Sequence, residues 1–187
     1  MHKLFVVRIA VLELLFSLSG AVIAQNVVLN PDFDSGSTGW TGGSIYVTDG
    51  MPSAPSYLVT SPAYNQRNAD SDCFPLEPTK RYSFSSEVRV LSGDAGMVYL
   101  LAYQDSACTT FAGGGYISLG ALAGTGNVEG PWTAVPQVPQ IVPLTNNVIS
   151  GKFRLVANTG SNYAATILFD HVILEPEDVF SGDFETH

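Results

Sequence analysis

Between residues 81 and 91 polar and apolar positions alternate with a period of two. Tyr82, Phe84, Ser86, Val88 and Val90 share one face, and Ser83, Ser85, Glu87 and Arg89 the other. This period marks a strand with one face on a core. Met97–Gln104 is nearly all apolar, which predicts a central strand covered on both faces. Val148–Ala157 and Ala165–Leu174 read as two further strands. Shorter strand-like runs occur at Asn26–Asn30, Ser44–Thr48, Ser56–Ser61 and Cys73–Leu76. Trp132–Val142 is interrupted by Pro136 and Pro139, which restricts it to an edge strand or an extended loop. Turns are expected at Asp49–Pro52, Glu77–Lys80 and Ser92–Gly96, with Asn158–Asn162 as a hairpin-like link. Gly113–Gly126 reads as a glycine-rich loop. No long stretch carries helical periodicity. Eight or nine short antiparallel strands predict an all-β domain, a two-sheet antiparallel β-sandwich of jelly-roll type.

Composition agrees. The 187 residues include 18 Gly and 11 Pro, and only 13% are charged, as in short strands joined by turns. The length suits one domain. Residues 1–24 read as a secretory signal peptide. Lys3 and Arg8 precede or open an apolar run of about 16 residues, shorter than the ~20 of a membrane span. Val22-Ile23-Ala24 places small residues at a cleavage site. The expected layout is a signal peptide over 1–24, a sandwich over 25–175 and an acidic tail over 176–187. Export to a secreted, periplasmic or cell-surface location follows, with no membrane span after cleavage and a monomeric product.

Charge and cysteine count narrow the partners. Removing Lys3, Arg8 and Glu13 leaves 6 basic and 16 acidic residues. Such a surface repels nucleic acid and anionic lipid, and suits neutral ligands and divalent cations. Cys73 and Cys108 are the only cysteines. In an exported chain an even pair predicts a disulfide.

Two end segments carry a family resemblance. Asn30-Pro31-Asp32-Phe33-Asp34 followed by Gly39-Trp40 resembles the "N-x-G-F-E … G-W" opening of galactose-binding-like jelly rolls, among them CenC-type carbohydrate-binding modules. Phe169-Asp170-His171-Val172-Ile173-Leu174 resembles their closing "F-D-D-V-x-L" strand. Tyr82-Ser83-Phe84-Ser85 and Lys152-Phe153-Arg154-Leu155 are similar to intermediate strands. The departures are Asp32 for glycine, Asp34 for glutamate and His171 for the second aspartate. The resemblance implies a non-catalytic module that binds a polysaccharide or other glycan. It also implies a structural calcium ion held by Asp32 (carbonyl), Asp34 and Asp170, with carbonyls from the Asp49–Ser53 loop. Calcium takes six to eight oxygens and accepts such mixed sets.

Candidate ligand contacts come from the residues. Tyr99 and Tyr103 share a face of their strand, and with Glu87 and Arg89 on a neighbour they form an aromatic and polar groove. The alternative places both tyrosines in the core. Tyr46, Tyr64, Tyr116 and Tyr163 lie nearer loops and are alternative contacts. Trp40 and Trp132 are expected in the core. After residue 24 the histidines are His171 and His187 alone. No nucleophile-elbow pattern or zinc-spaced histidine pair accompanies them, so an enzyme is not expected. A structural or adhesive extracellular protein is the alternative to the glycan module, with a hydrolase behind both.

Overall fold

The strand that begins at Tyr82 runs for 22 residues, its alternation interrupted only around Leu91–Ala95 and at the all-buried Leu100–Tyr103. The computed structural model describes residues 25–177, except Pro143 and Asn146. The expected signal peptide lies outside the described residues, as does the tail beyond Glu177. Ten strands occur among the described residues: β1 (Trp40–Thr41), β2 (Ser44–Tyr46), β3 (Ser56–Ser61), β4 (Asn65–Ser71), β5 (Phe74–Pro75), β6 (Tyr82–Tyr103), β7 (Phe111–Gly126), β8 (Thr133–Val142), β9 (Ser150–Thr159) and β10 (Ala165–Pro176).

They form two antiparallel sheets. Sheet I has the order β2-β3-β10-β6-β8. Sheet II has the order β1-β4-β9-β6-β7, with β5 also paired to β9. Strand β6 belongs to both. Its first half pairs with β8 and β10, and from Gly93 onward it pairs with β7 and β9. Even-numbered positions stay inward on both halves: Phe84, Val88 and Val90, then Val98, Leu100 and Ala102 are all buried. Phe33, Tyr57, Phe153, Leu155, Ile167 and Phe169 complete the core between the sheets. Each fully buried side chain of this size stabilises by about 1.5–3 kcal/mol.

Several sequence expectations change. Ser92–Gly96 is not a turn between strands but the place where β6 crosses from one sheet to the other. Gly93 has φ +120°, and a Cβ there would lie 2.7 Å from the Cβ of Ala165. The Asn158–Asn162 link is not a hairpin either. It joins β9 in sheet II to β10 in sheet I. The Asp94 carboxylate holds this corner by accepting from the Gly160 N–H and the Ser161 and Tyr163 hydroxyls. Gly113–Gly126 is strand β7 rather than a loop. Asn26–Asn30 forms no strand. Instead the Asn26 side chain stands in for one, donating to the Val172 carbonyl at 3.2 Å and accepting from the Leu174 N–H at 2.9 Å.

Other expectations hold. Trp40 is buried in an aromatic cluster with Phe33 and Tyr57, with centroids 4.9–5.9 Å apart. Trp132, also expected in the core, departs from that expectation: it is half-buried, with its Nε1 donating to Asp49 Oδ1 at 2.9 Å. Strand β8 is a sheet edge, as its prolines require. Cys73 and Cys108 are joined, with Cα atoms 5.9 Å apart.

Candidate ligand-binding face

Tyr99 and Tyr103 lie four residues apart on β6 and so project from the same, outer face of sheet II. Tyr103 is 6% exposed because another ring covers it. Phe111, the first residue of β7, stacks on it with centroids 4.6 Å apart and an interplanar angle of 19°. Phe111 in turn touches Tyr116 at 5.2 Å. These two outer rings are 45% and 56% exposed. Tyr103 is therefore the support of an aromatic shelf, and Phe111 and Tyr116 are its surface. Beneath lies a small apolar cluster of Leu101, Tyr99, Tyr103 and the Cys73–Cys108 pair. Burial raises the Tyr103 hydroxyl above its usual pKa, and the charge of Asp70 adds to the rise.

A fixed ion pair borders the shelf. In the strand register Asp70 of β4 stands beside Arg154 of β9, which stands beside Tyr99 of β6. Arg154 donates through Nε and Nη2 to the two Asp70 oxygens, each at 2.7 Å. Its Nη1 donates to the Tyr116 hydroxyl at 2.8 Å. The guanidinium carbon lies 5.8 Å from the Tyr116 centroid. The Asp70 hydrogen bond raises the Arg154 pKa further. Bidentate pairing of this kind fixes orientation as well as charge. The loop from β6 to β7 is also braced. Asp105 accepts the N–H groups of Ala107 and Thr110 at 2.9 and 2.6 Å, and its own carbonyl accepts the Ser150 hydroxyl at 2.6 Å. Burial alone would raise the Asp105 carboxyl, but the N–H donors of Thr110 and Thr109 outweigh it and hold the group below its ordinary pKa. Planar apolar ring faces beside fixed polar groups match the apolar faces and hydroxyl rims of sugar rings.

Glu87 and Arg89 do not join this shelf. They sit on the sheet I half of β6, on the outer face across the core from Tyr99 and Tyr103. The sequence placed all four together because it took Ser92–Gly96 as a turn between adjacent strands. Arg89 is already committed: its Nε donates to the Gly130 carbonyl at 2.9 Å, and its two amino groups pair with Asp49 and Glu129. Desolvation raises the Glu87 pKa, and the charge of His171 partly opposes it. Of the loop aromatics, Tyr116 alone lies on the shelf's surface. Phe111, Asp70 and Arg154 had no sequence signal, because their conjunction depends on strand register.

The expected calcium ligands are placed as follows. Asp170 is 1% exposed, and both of its oxygens accept backbone N–H groups: Met51 at 2.7 Å and His171 at 2.8 Å. Burial pushes its carboxyl up to about 7 against the pull of those donors. His171 occupies a bulge in β10 with φ +50°, and its Nδ1 lies 2.7 Å from Asp32 Oδ1. Asp34 is exposed. Among the described residues no three carboxylate, histidine or cysteine side chains gather at metal-binding spacing. Both Asp170 oxygens are thus engaged by amides, and Asp32 meets His171 through its side chain rather than through the carbonyl expected to ligate.

No protein-family model matches the sequence, and no curated protein sequence matches it. Solved structures do match by shape. A family 16 carbohydrate-binding module superposes with a TM-score of 0.55 at 15% identity, covering 80% of this chain and 99% of its own. A family 61 carbohydrate-binding module in complex with β-1,4-galactotriose matches with a TM-score of 0.53 at 13% identity, covering 82% and 100%. A xylan-binding domain of family 22 matches with a TM-score of 0.53 at 14% identity, covering 81% and 95%. No helix among the described residues is long and apolar enough to cross a membrane. The chain has the all-β jelly-roll sandwich fold of these modules, in agreement with the galactose-binding-like resemblance of its end segments.

Proposed function

We propose that this protein is a non-catalytic, exported module that binds a neutral glycan on the outer face of sheet II. The observation that carries the reading is the pair of touching, half-exposed rings Phe111 and Tyr116, backed by buried Tyr103 and bordered by the Arg154–Asp70 pair. Two large aromatic rings exposed side by side form an apolar patch of the kind that marks an interaction site. Stacking supplies affinity, and the fixed guanidinium and carboxylate supply orientation. Support also comes from the fold, shared with modules whose solved forms include a galactotriose complex and a xylan-binding domain.

The test is affinity electrophoresis through gels containing xylan, β-1,4-galactan or mixed-linkage β-glucan. Retardation of the wild type by one polysaccharide, lost in Phe111→Ala and Tyr116→Ala while Glu87→Ala is retarded normally, is the expected pattern. Free migration of folded wild type in every gel would contradict the reading and favour a structural or adhesive role.

A further inference from the structure

Between the two exposed rings β7 departs from its partner. Tyr103 pairs with Phe111 and Leu101 pairs with Tyr116, so two steps along β6 are matched by five along β7. The extra residues form a bulge that contains Gly113, Gly114 and Gly115. Strand β7 is the edge of sheet II, so among the described residues no further strand pairs beside the bulge.

The three glycines have different reasons to be there. At Gly115 a Cβ would meet the carbonyl oxygens of Ala102 and Ala112 at 2.8 and 2.9 Å, which excludes a side chain. Gly114 has φ +75°, a conformation that costs other residues energy. Neither reason applies to Gly113. Its φ lies outside the left-handed region, it is exposed, and a Cβ built on it meets nothing within 4 Å. The fold therefore leaves Gly113 free to carry almost any side chain. In an edge-strand bulge, a glycine that neither space nor φ requires leaves the backbone open to close approach from outside the protein.

We infer that the Gly113–Gly114 main chain is the hydrogen-bonding wall of the ligand site. It contacts the hydroxyl edge of a sugar ring whose apolar face rests on Phe111 and Tyr116. This rests on the glycan reading above and deepens it. The shelf accepts the ring face, and the peptide groups between the two rings read the hydroxyls. A side chain at position 113 would stand between the sugar edge and those peptides.

The discriminating variant is Gly113→Val, studied by thermal unfolding and by calorimetric titration with xylohexaose and β-1,4-galactotriose. Because a Cβ at this position meets no protein atom within 4 Å, the variant is expected to unfold no earlier than the wild type. Affinity for whichever oligosaccharide the wild type binds falls about tenfold or more, the scale of one or two lost hydrogen bonds. Wild-type affinity in Gly113→Val would overturn the inference. Should the valine variant fail to fold, Gly113→Ala carries the same expectation, and undiminished affinity there overturns it equally. If Phe111→Ala abolishes binding while Gly113→Val does not, only this inference fails. If the wild type binds neither sugar nor any polysaccharide of the gel panel, the glycan reading fails and takes the inference with it.

Discussion

Asp170 shows how far a single residue's role lies from its local sequence. In the closing strand it reads as a solvated or cation-binding carboxylate. In the structure Met51, 119 residues away in sequence, donates to it, and the group is buried. Its pKa is raised from 3.8 to about 7 by desolvation. A carboxyl raised in the folded state binds more protons there than in the unfolded chain between those two values. Stability therefore falls as pH rises from about 4 to about 7, by at most about 4 kcal/mol at ~1.4 kcal/mol per unit, and levels off above. Asp170→Asn removes this slope, which thermal unfolding across pH 4–8 reads directly. An unchanged slope in the variant would mean that Asp170 is not its source. Asp94 and Asp105 have lowered pKa values and act in the opposite sense, losing stability as pH falls below about 4.

At the scale of elements, the sequence showed strands wherever one face was apolar and missed them wherever it was not. Strand β4 reads Asn-Gln-Arg-Asn-Ala-Asp-Ser, and only Ala69 and Ser71 reach the core, so no alternation was visible. Strand β7 was hidden by its glycines. The unity of β6 was not legible: Met97–Tyr103 is apolar at every position, and only burial shows that the inward positions stay even-numbered across Ser92–Gly96. Gly93 makes the crossing possible, and Gly93→Ala is expected to lose about 2–3 kcal/mol through backbone strain and the contact with Ala165. A shift in urea midpoint measures this, and a neutral result would contradict the account of the crossing. The disulfide was legible from the cysteine count alone. With its ends 35 positions apart in sequence, reducing it is expected to cost about 4 kcal/mol in the chain-entropy model.

For the whole molecule, the fold class followed from strand spacing and the end motifs, and solved structures at 13–15% identity agree with it. The site was only half legible. Tyr99 and Tyr103 were placed on the correct strand face. Their true partners, Phe111, Tyr116, Arg154 and Asp70, come from three other strands and needed the register to be found. Glu87 and Arg89 lie across the sandwich from Tyr99 and Tyr103, which the same lack of register concealed. The arrangement of Asp32, Asp34 and Asp170 predicts equal melting temperatures in calcium and in EDTA. A clear rise with calcium would show that these residues rearrange around the ion.

The central claim is that ligand meets the outer face of sheet II and not that of sheet I. Amide chemical-shift mapping during titration with xylohexaose and β-1,4-galactotriose tests it most directly. The account predicts that the shifted amides cluster on Phe111–Ser118, Asp70, Tyr99 and Arg154. Shifts centred instead on Asp49, Glu87, Arg89 and Trp132 would contradict it.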